Sequence, residues 1–344
     1  MSRIRVLIVD DSSFIRKSLC RIFESDPAIE IAGLASNGKE AVQKVTRLNP
    51  DVVTMDIMMP EMDGIEALKV IMANKPTPVL MLSQYTREGT ELTLNALELG
   101  AMDFVDKSST GLMDFFGLAR EIISKVKAIS GSRPLKIDAS PSTPREYKSK
   151  DLTDMVAIGT STGGPSALQM ILPKFPKDIS FGILIVQHMP HGFTGPLARR
   201  LNSICDIRVK EADGRDKVEP GLAIIAPSGL HMTAKLIART NGRVKSRIYL
   251  GVEPLDTIHK PSVDVLFRSV AEIYGDRSIG VILTGMGSDG VKGIKAIKEK
   301  GGRTLAQDEK TSAIFGMPKV AIESGVIDKI VPITSMADEI MKSV

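Results

Sequence analysis

Ser161 stands in Gly159-Thr-Ser161-Thr-Gly163, between a short apolar run at 155–158 and a stretch of helical spacing at 166–172. A serine on a sharp strand-to-helix turn, flanked by small residues, projects its hydroxyl at the C-terminal edge of a sheet, where a nucleophile is needed. The backbone N–H groups after it open a helix and can favour a developing oxyanion. The same pattern is also an ordinary Gly/Ser/Thr helix start. A serine becomes a nucleophile only beside a base and a group that orients the base. His188 ends the apolar run 181–187, and Asp289 lies in the loop Thr284-Gly-Met286-Gly-Ser-Asp289-Gly290 after the run 278–283. Each alone has a plainer use, as a structural histidine or as a cap for the helical stretch 291–300. Together the three supply nucleophile, base and orienter. His188 would take the Ser161 proton and return it to the leaving group, while Asp289 would hold the imidazole tautomer.

A second constellation lies nearer the N-terminus. Asp10-Asp11 follows the apolar run 5–9, Asp56 follows 51–55, Ser83 follows 79–82, and Lys107 follows Phe104 and Val105. One such residue reads as a helix cap; five at successive strand ends do not. Three clustered carboxylates repel unless a cation joins them, and an oxygen-rich set suits Mg²⁺, which also takes phosphate oxygens. Lys107 could neutralise a phosphoryl group and Ser83 could hydrogen-bond it.

Two rival chemistries compete for the C-terminal half. His188-x-x-His191 has metal-ligand spacing, but no acidic or third ligand accompanies the pair. Gly285-Met-Gly287-Ser-Asp-Gly290 is a literal G-x-G-x-x-G between a strand and a helix, with Asp308 about 20 residues on, as a dinucleotide site would want. Asp289 counts against that reading, because a carboxylate would sit where a pyrophosphate must approach the helix.

Strands must deliver these residues. Helical patterns at 13–24, 38–48, 65–74 and 86–99 alternate with the first four apolar runs, which predicts a parallel doubly wound sheet. Such sheets bind ligands at the carboxyl ends of their strands. Further along, a helix is expected at about 195–201 and β-rich pieces at 223–226, 231–238 and 247–249. Asn241-Gly242 signals a hairpin between the last two. Helices at 264–274 and 291–300 and a strand at 303–306 make the second half α/β again, a mostly parallel sheet with an antiparallel insertion. Between the halves, 129–151 is rich in Ser, Pro, Lys and Arg without periodicity. It reads as a flexible linker rather than a basic docking strip of Arg133, Lys136, Arg145, Lys148 and Lys150.

With 344 residues the chain is long enough for two domains, each with its own core. Hydrophobic content of 43% and charged content of 25% are those of a soluble globular protein. No apolar run approaches the roughly 18 residues of a membrane span, and the N-terminus has no signal-peptide pattern. Cys20 and Cys205 are too far apart in sequence to suggest a disulfide or metal framework, which fits a reducing cytoplasm. A net charge of +4 does not argue for nucleic acid.

Residues 1–128 resemble a response-regulator receiver domain, a flavodoxin-like fold with a five-stranded parallel sheet. The resemblance rests on the Asp10-Asp11 pair, Asp56 in Asp56-Ile-Met-Met-Pro60 with Asp63-Gly64 after it, Ser83, Phe104 and Lys107. It implies Asp56 as phospho-acceptor, Mg²⁺ on Asp10, Asp11 and Asp56, and Ser83, Phe104 and Lys107 as the switch. Receivers usually carry Pro after this lysine; Ser108 stands there, so a strained loop or a re-aimed Lys107 is expected. Residues 152–344 resemble the catalytic domain of the chemotaxis protein-glutamate methylesterases. The matching stretches are Ile158-Gly-Thr-Ser161-Thr-Gly-Gly164, Gln187-His188-Met-Pro190 and Leu283-Thr-Gly-Met286-Gly-Ser-Asp289-Gly290. This implies a Ser161, His188, Asp289 triad with the Met286 backbone as oxyanion donor, and no cofactor in that domain. Thr160 replaces a common alanine, with no expected consequence. The resemblance implies a cytoplasmic, monomeric hydrolase activated by phosphorylation from the chemotaxis histidine kinase. It would remove methyl esters from chemoreceptor glutamates and deamidate receptor glutamines, without binding nucleic acid or entering a membrane. A receiver on a non-enzymatic output module, such as a transcription regulator, would want a basic helix-turn-helix and a smaller output, and neither is evident.

Overall fold

The computed structural model describes residues 3–83, 86–107, 112–132, 154–240 and 243–344. The chain divides into two compact units, Met1–Asp138 and Ala139–Val344. The expected linker, the Ser108 position and the Asn241-Gly242 turn lie wholly or largely outside the described residues.

The first unit is a five-stranded parallel sheet in the order β2-β1-β3-β4-β5. Its strands are β1 (Ile4–Val9), β2 (Ile29–Ala35), β3 (Val52–Asp56), β4 (Val79–Ser83) and β5 (Asp103–Asp106). Val6 to Val9, Val52, Val53, Met55 and Val79 to Leu82 are buried, as strands covered on both faces require. Helices α1 (Ser13–Glu24), α2 (Gly38–Leu48), α3 (Gly64–Asn74), α4 (Arg87–Glu98) and α5 (Leu112–Ile129) make the crossovers. Their starts are fixed locally: Ser12, Asn37, Asp63 and Thr86 accept from the first-turn N–H groups, and Asp63 with Glu66 forms a capping box. Four strands were conspicuous in the sequence. The fifth, β2, is an edge strand with only its two ends buried, so its apolar signal is diluted.

The second unit is built on seven parallel strands in the order β14-β13-β12-β6-β7-β9-β8. They are β6 (Met155–Thr160), β7 (Gly182–Gln187), β8 (Arg208–Glu211), β9 (Leu222–Ile225), β12 (Ser278–Ile282), β13 (Arg303–Gln307) and β14 (Lys329–Val331). The antiparallel pair β10 (His231–Thr240) and β11 (Arg243–Gly251) forms a separate two-stranded sheet. Its inner residues Met232, Ala234 and Ile248 share a core with Phe267, Val270 and Tyr274 of α8 (Val263–Tyr274). Helices α6 (Gly164–Ile171), α7 (Thr194–Ile204), α9 (Val291–Glu299), α10 (Met317–Glu323) and α11 (Ile333–Ser343) complete the unit. Strand β6 is central, with β12 on one side and β7 on the other, so the chain order reverses there. Open α/β sheets collect ligands at that switch point, beyond the carboxyl ends of the strands.

Candidate active site and phosphoryl-acceptor site

Thr160 ends β6 opposite Gln187, which ends β7. Ser161 and His188 are therefore the next residues on neighbouring parallel strands, and His188 N–H donates to the Thr160 carbonyl at 3.0 Å. The turn at Ser161 is forced by packing. Gly163 has φ +77°, and a Cβ there would lie 2.4 Å from Ala313 Cβ; one on Gly164 would lie 1.9 Å from Gln187 Oε1. Gln187, buried to 1% exposure, donates from Nε2 to the carbonyls of Ser161 (2.9 Å) and His188 (2.8 Å), tying the two turns together.

Beneath the turn runs a buried polar network. Thr160 Oγ1 donates to the Thr284 carbonyl at 2.9 Å, Thr284 Oγ1 donates to the Thr162 carbonyl at 2.9 Å, and Thr284 N–H donates to Gln307 Oε1 at 2.8 Å. Thr160 thus has a consequence that the sequence comparison denied it: its hydroxyl joins the β6 turn to the loop after β12. Two backbone donors at the turn are already engaged, Ser161 N–H to Thr284 O at 3.1 Å and Gly164 N–H to Ser161 O at 2.8 Å. Met286 follows Gly285, where a Cβ would lie 2.8 Å from Ser161 Cβ, so the backbone at 285–286 runs against the serine.

Asp289 sits across the site. Its Oδ2 lies 2.9 Å from His188 Nε2 and accepts from Val263 N–H at 2.7 Å; its Oδ1 accepts from Ser262 Oγ at 2.8 Å and Asp264 N–H at 3.0 Å. Asp289 does not cap α9, whose N-cap Gly290 makes no side-chain bond. It occupies the N-terminus of α8, where backbone donors and the helix dipole favour negative charge. Burial alone would raise its pKa. The His188 hydrogen bond, the neighbouring imidazole charge and the α8 N–H groups outweigh burial and leave it pushed down to about 2. With Nε2 held by a carboxylate, His188 Nδ1 is the nitrogen left to accept a proton. That atom is buried and has no hydrogen-bond partner.

His259 carries no motif that singles it out in the sequence. Its ring stacks on His188, with centroids 4.2 Å apart and planes 22° apart. Burial, then the neighbouring His188, holds its pKa below the usual histidine range, against the pull of Asp289. Ser262 was equally unmarked as a support for Asp289. As the N-cap of α8 it also accepts from Val265 N–H at 3.4 Å. His191 is exposed, and Asp308 Oδ1 accepts from Thr311 N–H at 3.1 Å, closing a local turn rather than awaiting a ribose.

In the first unit, Asp10, Asp11 and Asp56 each bring a carboxylate oxygen within 4.8 Å of the others. Lys107 Nζ lies 2.8 Å from Asp56 Oδ1 and 3.1 Å from Asp10 Oδ2, so the ammonium reaches both carboxylates. Burial pushes the Asp56 carboxyl up, Lys107 pulls it down, and Asp10 adds to the rise. A hard divalent cation would relieve that repulsion, and exposed Asp11 leaves the cluster open to solvent. The donor set therefore fits Mg²⁺. Ser83 Oγ is turned to α4: it accepts from Thr93 Oγ1 at 2.6 Å and donates to the Gly89 carbonyl at 3.4 Å. Phe104 is buried, with Lys125 Nζ 5.6 Å from its ring centre.

The first unit's fold and its acidic cluster are those of a response-regulator receiver; the second unit is an α/β output domain with a hydrogen-bonded His–Asp pair at its switch point. Comparison with known proteins gives the assignment. Residues 156–340 match the CheB methylesterase family and residues 6–112 the response regulator receiver domain. The chain is 44% identical to the protein-glutamate methylesterase/protein-glutamine glutaminase 1 of Oleidesulfovibrio alaskensis, over 99% of each chain. It is 46% identical to the corresponding protein of Archaeoglobus fulgidus, over 98% of this chain and 97% of that one. The Thermotoga maritima CheB methylesterase catalytic domain superposes with a TM-score of 0.53 at 42% identity, covering 56% of this chain and 99% of that one. The chain belongs to the CheB methylesterase family.

Proposed function

We propose that this chain is a phosphorylation-activated hydrolase that removes methyl esters from glutamyl side chains of chemoreceptors and deamidates receptor glutamines by the same acyl chemistry. Ser161 Oγ attacks the acyl carbon as His188 Nδ1 takes the hydroxyl proton. The oxyanion is met by the Met286 backbone N–H, and Asp289 holds the imidazolium through Nε2–H. Collapse expels methanol, or ammonia from a glutamine, with the proton returned by His188. A water deprotonated by Nδ1 then attacks the acyl-enzyme and frees Ser161, leaving glutamate. The observation that carries this reading is the His188 Nε2–Asp289 bond beside an unpartnered, buried Nδ1, on the strand next to Ser161.

Asp56 would accept the phosphoryl group from the chemotaxis histidine kinase, with Asp10, Asp11 and Asp56 holding Mg²⁺. A bound Mg²⁺ neutralises phosphoryl oxygens. Lys107, 2.8 Å from Asp56 Oδ1, would pair with the new charge, and Ser83 would leave α4 to hydrogen-bond it. The domains are proposed as 1–128 and 152–344 with 129–151 as linker, acting as a cytoplasmic monomer. Among the described residues no helix is long and apolar enough to cross a membrane. The direct test is methanol release from methylated receptor membranes and ammonia release from glutamine-bearing receptors. Activity on neither would overturn the reading.

A further inference from the structure

His259 reaches the catalytic histidine from a loop that has no regular structure and carries an unusual surface. From the end of β11 towards α8, apolar residues recur at every third position: Tyr249 in the strand itself, then Val252, Leu255 and Ile258 in the loop. All four are exposed, at 50%, 49%, 65% and 95%. The residues between them are Gly, Glu, Pro, Asp and Thr together with Leu250. An exposed isoleucine directly before a ring stacked on His188 places apolar surface at the edge of the reacting centre.

The loop is not loosely draped. His231, buried at the start of β10, holds it from beneath. Its Nδ1 accepts from Ser262 N–H at 3.2 Å, and its Nε2 lies 3.2 Å from the Pro254 carbonyl and 3.1 Å from Thr257 Oγ1. Gly229 N–H donates to the Lys260 carbonyl at 3.0 Å. These bonds fix the backbone while the side chains of Leu255 and Ile258 stay in water. Apolar side chains held outward by a fixed backbone lose little entropy on meeting a partner, and clustered exposed apolar side chains mark interaction surfaces.

We propose that Val252, Leu255 and Ile258 form a lip that docks the apolar stripe of an amphipathic helix in the protein substrate, so that a glutamyl ester on that helix enters beside Ser161. The occupant follows from position: whatever presents its side chain to Ser161 must lie against the rim that carries His259. An amphipathic helix offers apolar residues at i, i+3 and i+4 to such a rim. The proposal rests on the methylesterase reading. It makes affinity for the protein substrate separable from the chemistry, because a small ester has no stripe to dock.

The test compares full-length wild type with Leu255→Ser/Ile258→Ser on methylated receptor membranes and on a small soluble methyl ester, after circular dichroism has matched the folds. The expected result is a fall of about tenfold or more in kcat/KM on receptors, carried by KM, with the small-ester rate within about twofold. Ile258→Met should restore most of the receptor rate that Ile258→Ser loses. Equal losses on both substrates would overturn the proposal, since the loop would then merely support His259. A wild-type receptor rate in the double variant, or a raised one, would also overturn it. Wild type that hydrolyses the small ester yet releases no methanol from membranes would instead overturn the functional reading itself.

Discussion

Asp289→Asn keeps the side-chain shape and removes the charge. Two carboxylate oxygens now face four donors: His188 Nε2–H, Val263 N–H, Asp264 N–H and Ser262 O–H. An amide offers one oxygen and one NH₂, so a donor must meet a donor. If the NH₂ turns to His188, it donates to Nε2 and drives the proton to Nδ1, the atom that must stay unprotonated to accept from Ser161. The expected loss in kcat is on the order of 10³–10⁴-fold, as for loss of an orienting carboxylate in other triads. Stability should fall too. The drop from 3.8 to about 2 corresponds to roughly 2–3 kcal/mol, at about 1.4 kcal/mol for each tenfold in acidity. Because the folded value lies below the unfolded one, that stabilisation is fully present above about pH 4 and is lost as pH falls toward about 2. Urea unfolding should therefore separate wild type from variant at pH 7 by about 2–3 kcal/mol and less at pH 3, with ester hydrolysis assayed in parallel. A variant within tenfold of the wild-type rate would refute the tautomer argument. An undiminished stability gap at pH 3 would refute the charge argument.

Asp56→Asn should take up no label from a radiolabelled phosphodonor and show no rise in esterase rate when the phosphodonor is added, whereas the wild type shows both, and chelating divalent cations should block uptake in the wild type. Label on the variant at wild-type levels would place the acceptor elsewhere. His259→Ala should lower kcat up to about tenfold, the scale of one aromatic contact, while His259→Phe keeps most of it; a pure KM effect would contradict a positioning role. Because burial holds the His259 pKa below its ordinary 6.5, its contribution to folding declines as pH falls below about 6.5, measurable as a urea-midpoint shift absent from His259→Phe. Gly164→Ala drives a methyl to within 1.9 Å of Gln187 Oε1 and 2.4 Å of Thr160 Oγ1. Its cost should be about 1–3 kcal/mol by chemical unfolding, with Gln187 displaced from the Ser161 carbonyl.

Much of this was legible because the motifs sit where periodicity changes. Short apolar runs, each followed closely by Asp, Ser, His or Lys, mark a parallel sheet, and the polar residue after each run marks its working edge. His188 and Asp289 meet because β7 and β12 flank β6. Local pattern could not reveal supports contributed from distant segments. Ser262 and the α8 N-terminus hold Asp289 across about 25 residues of chain, and His259 arrives on a loop with no periodicity at all. The half-exposed edge strand β2 and the three-residue β14 were also too weakly patterned to stand out. Thr160 looked neutral because its partner, the Thr284 carbonyl, is over a hundred residues away in sequence.

The central claim is that Ser161 is the nucleophile of a methylesterase. It is tested most directly by methanol release from methylated receptor membranes with wild type and Ser161→Ala, at equal concentration and after equal exposure to a phosphodonor. Loss of the acyl-enzyme route predicts a fall on the order of 10³-fold or more. Release by Ser161→Ala at near the wild-type rate would contradict the account.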